Sequence, residues 1–159
     1  MSFKLDKNNT GFKPIEAGEY EVYPIKVSKT TSQNGNKMVT FNYIIRDDID
    51  QPFKGQELRF DNFVETAGAM WRVNLASVNA NMDMDKEYAD IYEWADDFLY
   101  KAIRVRTGIR EFNGNKYPQI NDFMPSRYGG TYTPPEELAN NPFAEEGKPV
   151  DIQDDDLPF

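Results

Sequence analysis

The alternation of apolar and polar side chains is sharpest at residues 37–46. There Val39, Phe41, Tyr43 and Ile45 share one face, and Met38, Thr40, Asn42, Ile44 and Arg46 share the other. A period of two is that of a strand with one buried side. Residues 19–28 carry the same signal with a fault in it: Tyr20 and Val22 keep one phase, Ile25 and Val27 the other, and Pro24 stands at the change. A phase slip at a proline predicts a β-bulge on a bent strand. The polar stretch 29–36, with Asn34-Gly35, predicts the loop joining these strands. A second loop, over 47–52, leads to a third strand at 57–63.

Two helical patterns follow. Ala67, Trp71, Leu75 and Val78 recur at helical spacing, which places Trp71 in the core. Tyr88, Ile91, Tyr92, Ala95 and Leu99 form a second stripe, with Asp85 as its cap and Glu87 in its first turn. Glu87, Asp90, Trp94 and Asp97 then line the opposite, solvated face. Strands return at 101–110, with Ile103, Val105 and Ile109 on one side and Arg104, Arg106 and Arg110 on the other. Phe112-Asn113-Gly114-Asn115 predicts a hairpin, since Asn-Gly suits a type I′ turn, and a fifth strand follows at 116–123.

This order, three strands, a helical insertion and two strands, predicts a mainly β fold. A five-stranded OB-type Greek-key barrel carries its helix in that slot, and the count and helix position favour it over other small barrels. The bulged first strand fits, because closing a small barrel requires a strongly coiled strand. The barrel is predicted to span 1–125. From Ser126 the texture changes: half of the ten prolines fall there, apolar periodicity vanishes, and Gly129-Gly130 and Pro134-Pro135 appear. Residues 126–159 are therefore predicted to be a disordered acidic tail.

Charge sharpens this division. The chain of 159 residues has a net charge of −9, yet residues 126–159 hold eight acids against Arg127 and Lys148. Residues 83–97 hold seven acids and one base; without them the first 125 residues carry 15 bases and 12 acids. The body is thus mildly basic, with one acidic helix and one acidic tail. Cysteine and histidine are both absent, which excludes disulfides, a Cys/His zinc site, a thiol nucleophile and imidazole catalysis. No apolar run approaches the roughly 18 residues of a membrane span, and the N-terminus lacks the apolar stretch of a signal peptide, so a soluble cytoplasmic protein is expected.

Cations and aromatic faces on a barrel are what sequence-tolerant single-strand binding requires. Lys29, Lys37, Arg46, Lys54, Arg59, Arg104, Arg106, Arg110 and Lys116 all fall on predicted strands or their loops, and Arg104, Arg106 and Arg110 form a stripe on one strand face. Phe53, Phe60, Phe112 and Tyr117 are the candidate stacking residues, Phe112 foremost because a loop-tip aromatic has little core to fill. Phe41 and Tyr43 alternate with Val39 and Ile45 and belong to the core. The acids at 83–97 could be read as the metal site of a carboxylate-dependent nuclease, but their spacing is that of a solvated helix face. Neither a P-loop nor a G-x-G-x-x-G fingerprint is present. A non-enzymatic protein without a cofactor is expected.

The chain ends Asp154-Asp155-Asp156-Leu157-Pro158-Phe159. A basic-rimmed apolar pocket can capture such an end, ring and carboxylate together, while the aspartates steer the approach. This hexapeptide closely resembles the acidic tip of bacterial single-stranded DNA-binding proteins, with Leu157 where isoleucine is commoner. The body is more similar to single-stranded DNA-binding proteins of phages of Gram-positive hosts, in Ala17-Gly18-Glu19-Tyr20-Glu21-Val22, in Gly35-Asn36-Lys37-Met38, and in the Asn113-Gly114 hairpin ending at Phe123-Met124-Pro125. The resemblance implies single-stranded DNA as ligand, in phage replication, recombination or repair. It also implies replication, recombination or repair proteins as partners of the tip, and competition between tip and DNA. A homo-oligomer is compatible with it. The alternative is an adaptor whose barrel binds protein and whose tip alone carries the docking function.

Overall fold

A computed structural model describes residues 2–6 and 14–135. The elements run β1 (Glu19–Thr31), β2 (Lys37–Ile45), β3 (Glu57–Val64), α1 (Met70–Asn79, entered through a short 3-10 turn), α2 (Ile91–Phe98), β4 (Ile103–Phe112) and β5 (Asn115–Met124). All five strands form one antiparallel sheet in the order β3-β2-β1-β4-β5, that of a partly open OB-type barrel, with the helical insertion between β3 and β4. No helix among the described residues is long and apolar enough to cross a membrane.

The inward positions of β2 are those the alternation assigns: Val39, Phe41, Tyr43 and Ile45 are all fully buried. The predicted fault in β1 is a bulge, with the register to β2 slipping between Pro24 and Lys26. Two further bulges lack a sequence signal of that kind. Between Phe41 and Tyr43 the β2–β3 register skips, so that Asn42 faces both Arg59 and Phe60. Phe60 there adopts a φ of 64°, and its N–H donates to Asn42 Oδ1 at 3.1 Å. On β5, Asn121 is the extra residue opposite Arg106 and Thr107. Its amide lies so close to Gly108 that a Cβ there would come within 2.5 Å of Nδ2. Asn113 and Gly114 have φ values of 53° and 80°, the two positive angles of the predicted type I′ turn.

The helices pack differently from their sequence stripes. Trp71, expected in the core, is 62 % exposed, whereas Trp94, expected on the solvated face, is 3 % exposed. The side of α1 that enters the core is Val73, Ala76 and Ser77, small enough for an indole to lie against it. Trp94 Nε1 donates to Ser77 Oγ at 2.7 Å, and Ser77 Oγ donates to the Val73 carbonyl, so no polar atom of this contact is left unpaired. The indole stacks on Phe98 at 5.0 Å, and Phe98 meets the edge of Phe41 at 5.1 Å. The cap of α2 is Asp90 rather than Asp85: its carboxylate accepts from the Glu93 N–H, while Glu93 reaches back to the Ala89 N–H. That reciprocal pair is a variant of the capping box, present in the sequence as Asp-Ile-Tyr-Glu. Within the helix so bounded, Ile91, Trp94, Ala95 and Phe98 share the buried face.

The β3–β5 edges meet without a hydrogen-bonded ladder, leaving a seam. Arg72 of α1 spans it, donating to Asp61 at 2.6 Å and to the Asn62 carbonyl on β3, and reaching the Ile120 carbonyl on β5. Its guanidinium also lies over the Phe63 and Phe123 rings. Burial raises the Asp61 carboxyl above its ordinary range, opposed by Arg72 and by the hydrogen bond from Tyr43.

The barrel does not end at residue 125. Residues 126–132, predicted to belong to a disordered tail, form a strap across the outer side of β1. Glu21, 1 % exposed, accepts from Arg104 at 3.1 Å, from Ser126 Oγ at 2.6 Å and from the Arg127 N–H at 3.0 Å. Arg46 donates to the Gly129 carbonyl at 2.7 Å. Thr131 bridges Lys101, and the Tyr132 ring sits against those of Tyr23 and Tyr100. Gly130 has a φ of 102°, and a Cβ there would lie 3.0 Å from Tyr23 Oη. The acidic remainder and tip lie outside the described residues.

Candidate nucleic-acid interface

The expected cations divide by whether the fold pairs them. Arg46 is buried: it holds Asp48 through two hydrogen bonds, keeps that carboxyl below its ordinary range, and lies 4.4 Å from the Tyr23 ring centre. Arg104 is bound to Glu19 and Glu21, and Arg106 to Glu19 and Asp122. The three-arginine stripe is therefore two structural ion-pair residues and one open cation, Arg110. The reason is cross-strand geometry: Glu19 and Glu21 on β1 lie in register with Arg106 and Arg104.

The β1–β2 hairpin is neutralised as well. Lys29 lies in the inward row of β1, in register with Val39, and meets Asp96 of α2 at 2.8 Å. Lys37 meets the cap Asp90 at 2.9 Å, raising the ammonium and lowering the carboxyl relative to their ordinary values. Lys86 holds Asp97, and burial, together with the hydrogen bond that Tyr88 donates to the same carboxylate, pushes that phenol up to about 12. Of the acids of 83–97, Asp90 and Glu93 thus cap α2, and Asp90, Asp96 and Asp97 serve as lysine partners. Among the described residues no three or more acids gather as a metal-holding group.

Several open cations and aromatics lie around the seam. A groove of about 230 Å³ between β3 and β5 is lined by Arg59, Phe60, Asp61, Arg72, Arg110 and the segment 118–120. Phe60 is 68 % exposed, lifted outward by the bulge. Arg59 beside it is exposed, with its nearest carboxylate, Glu57, at 3.6 Å, too long for a hydrogen bond. Across the groove Arg110 stands opposite Tyr117 in the β4–β5 ladder and has no carboxylate partner among the described residues. Phe112 and Lys116 are exposed further along the same hairpin, Lys116 in register with Glu111. Ile109, expected to be inward, is exposed because β4 runs past the core beyond Thr107.

Of the remaining expected site residues, Lys54 is exposed, 4.0 Å from Asp50. Phe53 is not a free stacking face: it packs edge-on against Tyr20, its ring centre 6.1 Å away. The tip, Asp154 to Phe159, lies outside the described residues. Sequence reasoning missed Lys26 and Asn42, which face each other on the outer side of β1 and β2 next to Phe60. Lys26 is exposed without a carboxylate partner among the described residues; the phase slip at Pro24, read to its end, places it outward.

The outer face of β1–β3 therefore presents Lys26, Ser28, Thr40, Asn42, Arg59 and Phe60, then opens into the groove and the Arg110/Tyr117 hairpin. Backbone-tracking cations and one raised aromatic can hold a flexible polyanion with planar bases. Rigid double helix offers no unstacked base to such a ring. No curated protein matches the chain. A family profile does match residues 3–134, a span that runs through the strap, and by this match the chain belongs to DUF669, described as a protein family of unknown function.

Proposed function

We propose that the chain is a non-catalytic single-stranded DNA-binding protein. An unpaired strand crosses the outer face of β1–β3 and enters the β3–β5 groove. The acidic tip docks replication, recombination or repair proteins in the cytoplasm of a phage host. The observation that carries this reading is Phe60. A phenyl ring held in open solvent by a backbone with positive φ, and by the Asn42 hydrogen bond, has a strained backbone and no packing return of its own. Such strain is consistent with a ring kept available for a ligand. Arg59, Arg110, Lys116 and Lys26 supply phosphate partners, and stacking a base on the ring is worth about 1–3 kcal/mol. The tip resemblance and the concentration of acid in the tail sequence support the same reading.

Fluorescence anisotropy with oligo(dT) and with duplex of equal length tests it. The expected result is tight, salt-sensitive binding to oligo(dT), with a log–log slope of about −0.7 per phosphate neutralised, and much weaker binding to duplex. Equal binding to both, or none at low salt with the acidic tail removed, overturns the reading. Intact DNA after incubation with magnesium or manganese is the expected outcome for a non-enzyme.

A further inference from the structure

We infer that the strap supplies a second contact for the strand, Tyr128 as a stacking face and Arg127 as its phosphate partner. This rests on the single-strand reading and extends it to residues the sequence assigns to a tail. The strap is held from below by groups withdrawn from solvent: the Glu21 carboxylate, the Arg46 guanidinium and the Tyr23 ring. Ser126 Oγ accepts from both the Tyr128 and Gly129 N–H groups, which fixes the turn between them. These bonds use the backbone of residues 127–129 and leave the two side chains outward. Tyr128 is 60 % exposed, and neither its ring nor the Arg127 guanidinium has a partner among the described residues.

The strap also lies on the sheet face that bears Phe60. Tyr23, beneath it, is in register with Ile44, which is in register with Glu57, two residues before Arg59. Two strand spacings separate β1 from β3, about 10 Å across the sheet. A ring and a cation at each end of that row make a path for several nucleotides rather than one. Because the strap is already ordered, binding there does not carry the entropy of fixing a loop.

The test uses the full chain and its Tyr128→Ala, Arg127→Ala and Phe60→Ala variants, titrated with oligo(dT) of about 5 and about 15 nucleotides, lengths near the two ends of the range of OB-fold footprints. Phe60→Ala is expected to weaken both. Tyr128→Ala is expected to leave the short oligonucleotide almost unaffected and to weaken the long one about fivefold or more. Arg127→Ala is expected to reduce the salt slope on the long oligonucleotide by about 0.7. A Tyr128→Trp chain should gain fluorescence quenched by the long oligonucleotide beyond that of the unaltered chain. Melting curves for Tyr128→Ala matching the unaltered chain keep the comparison free of folding effects. Tyr128→Ala binding as well as the unaltered chain at both lengths, with Phe60→Ala weakened, overturns the strap contact and spares the single-strand reading. Failure of the unaltered chain to bind either length at low salt overturns both.

Discussion

Arg104 and Arg110 stand on one strand, both on the polar side of the same alternation, yet the fold uses them in opposite ways. Arg104 lies where β4 runs beside β1, and two glutamates take its guanidinium. Arg110 lies beyond Thr107, where β4 pairs only with β5 and, among the described residues, no carboxylate is paired with it. The same contrast separates Lys29 and Lys37 of the β1–β2 hairpin, which are taken by α2, from the seam, where Phe60 is open and Arg59 is exposed with only the looser Glu57 contact at 3.6 Å. A cation stays available to a ligand where no carboxylate of the fold closes on its side chain, a property of pairing and packing that one strand alone does not carry.

That contrast can be broken from either side. The largest effect is expected at Glu21. Replacing it with alanine leaves Arg104 without its buried partner and releases Ser126 and Arg127, so Glu21→Ala should lose about 3–5 kcal/mol in denaturant unfolding. At the open end, Phe60→Ala should leave stability nearly unchanged and lower oligo(dT) affinity by about 1–3 kcal/mol in anisotropy titrations. A smaller and more pointed difference is expected between the two arginines. Arg110→Ala should reduce the salt slope of binding by about 0.7, whereas Arg104→Ala should lower the melting temperature and leave that slope in place.

The smallest effect concerns the neutralised hairpin and is read by pH. The bond from Lys37, with the cap bonds, holds the Asp90 carboxyl below its ordinary value of 3.8 in the folded chain. Below that value the unfolded chain binds a proton the folded chain does not, so this contribution to stability is complete above pH 3.8 and fades as pH falls through the lowered value. Asp90→Asn keeps a capping side chain and removes the charge. Its melting temperature should lie slightly below that of the unaltered chain at neutral pH, and the two curves should converge in acid.

How much of this was legible without coordinates follows the range of the interactions involved. Period-two alternation and Asn-Gly are local, and they located β2, the β1 bulge, the hairpin and the helical insertion. Trp71 and Trp94 were exchanged because two helix faces competed. The apolar stripe of α1 was the obvious one, while the face that packs is Val73, Ala76 and Ser77, chosen by the indole it must admit. The Asp90-to-Glu93 box, which fixes where α2 begins and leaves Tyr88 outside it, is present in the sequence. The strap was not: Ser126, Gly129 and Gly130 have the composition of a linker, and only Glu21 and Arg46, some 80 to 105 residues away, make them structural. Of the expected interface, Arg59, Phe60, Arg110, Phe112, Lys116 and Tyr117 gather around the seam or its hairpin. Arg46, Arg104, Arg106 and Phe53 are occupied by the fold itself.

A cylinder of strands sealed all the way round can widen only by tearing rungs out of its own ladder. Here β3 and β5 face one another with no rungs between them, and a single guanidinium reaches over the gap. Arg72 is anchored to β3 through Asp61 at 2.6 Å and touches β5 only through the longer bond to the Ile120 carbonyl, at 3.4 Å. Widening the gap would therefore strain that one bond and the stacked Phe63 and Phe123 rings, and none of the strand ladders.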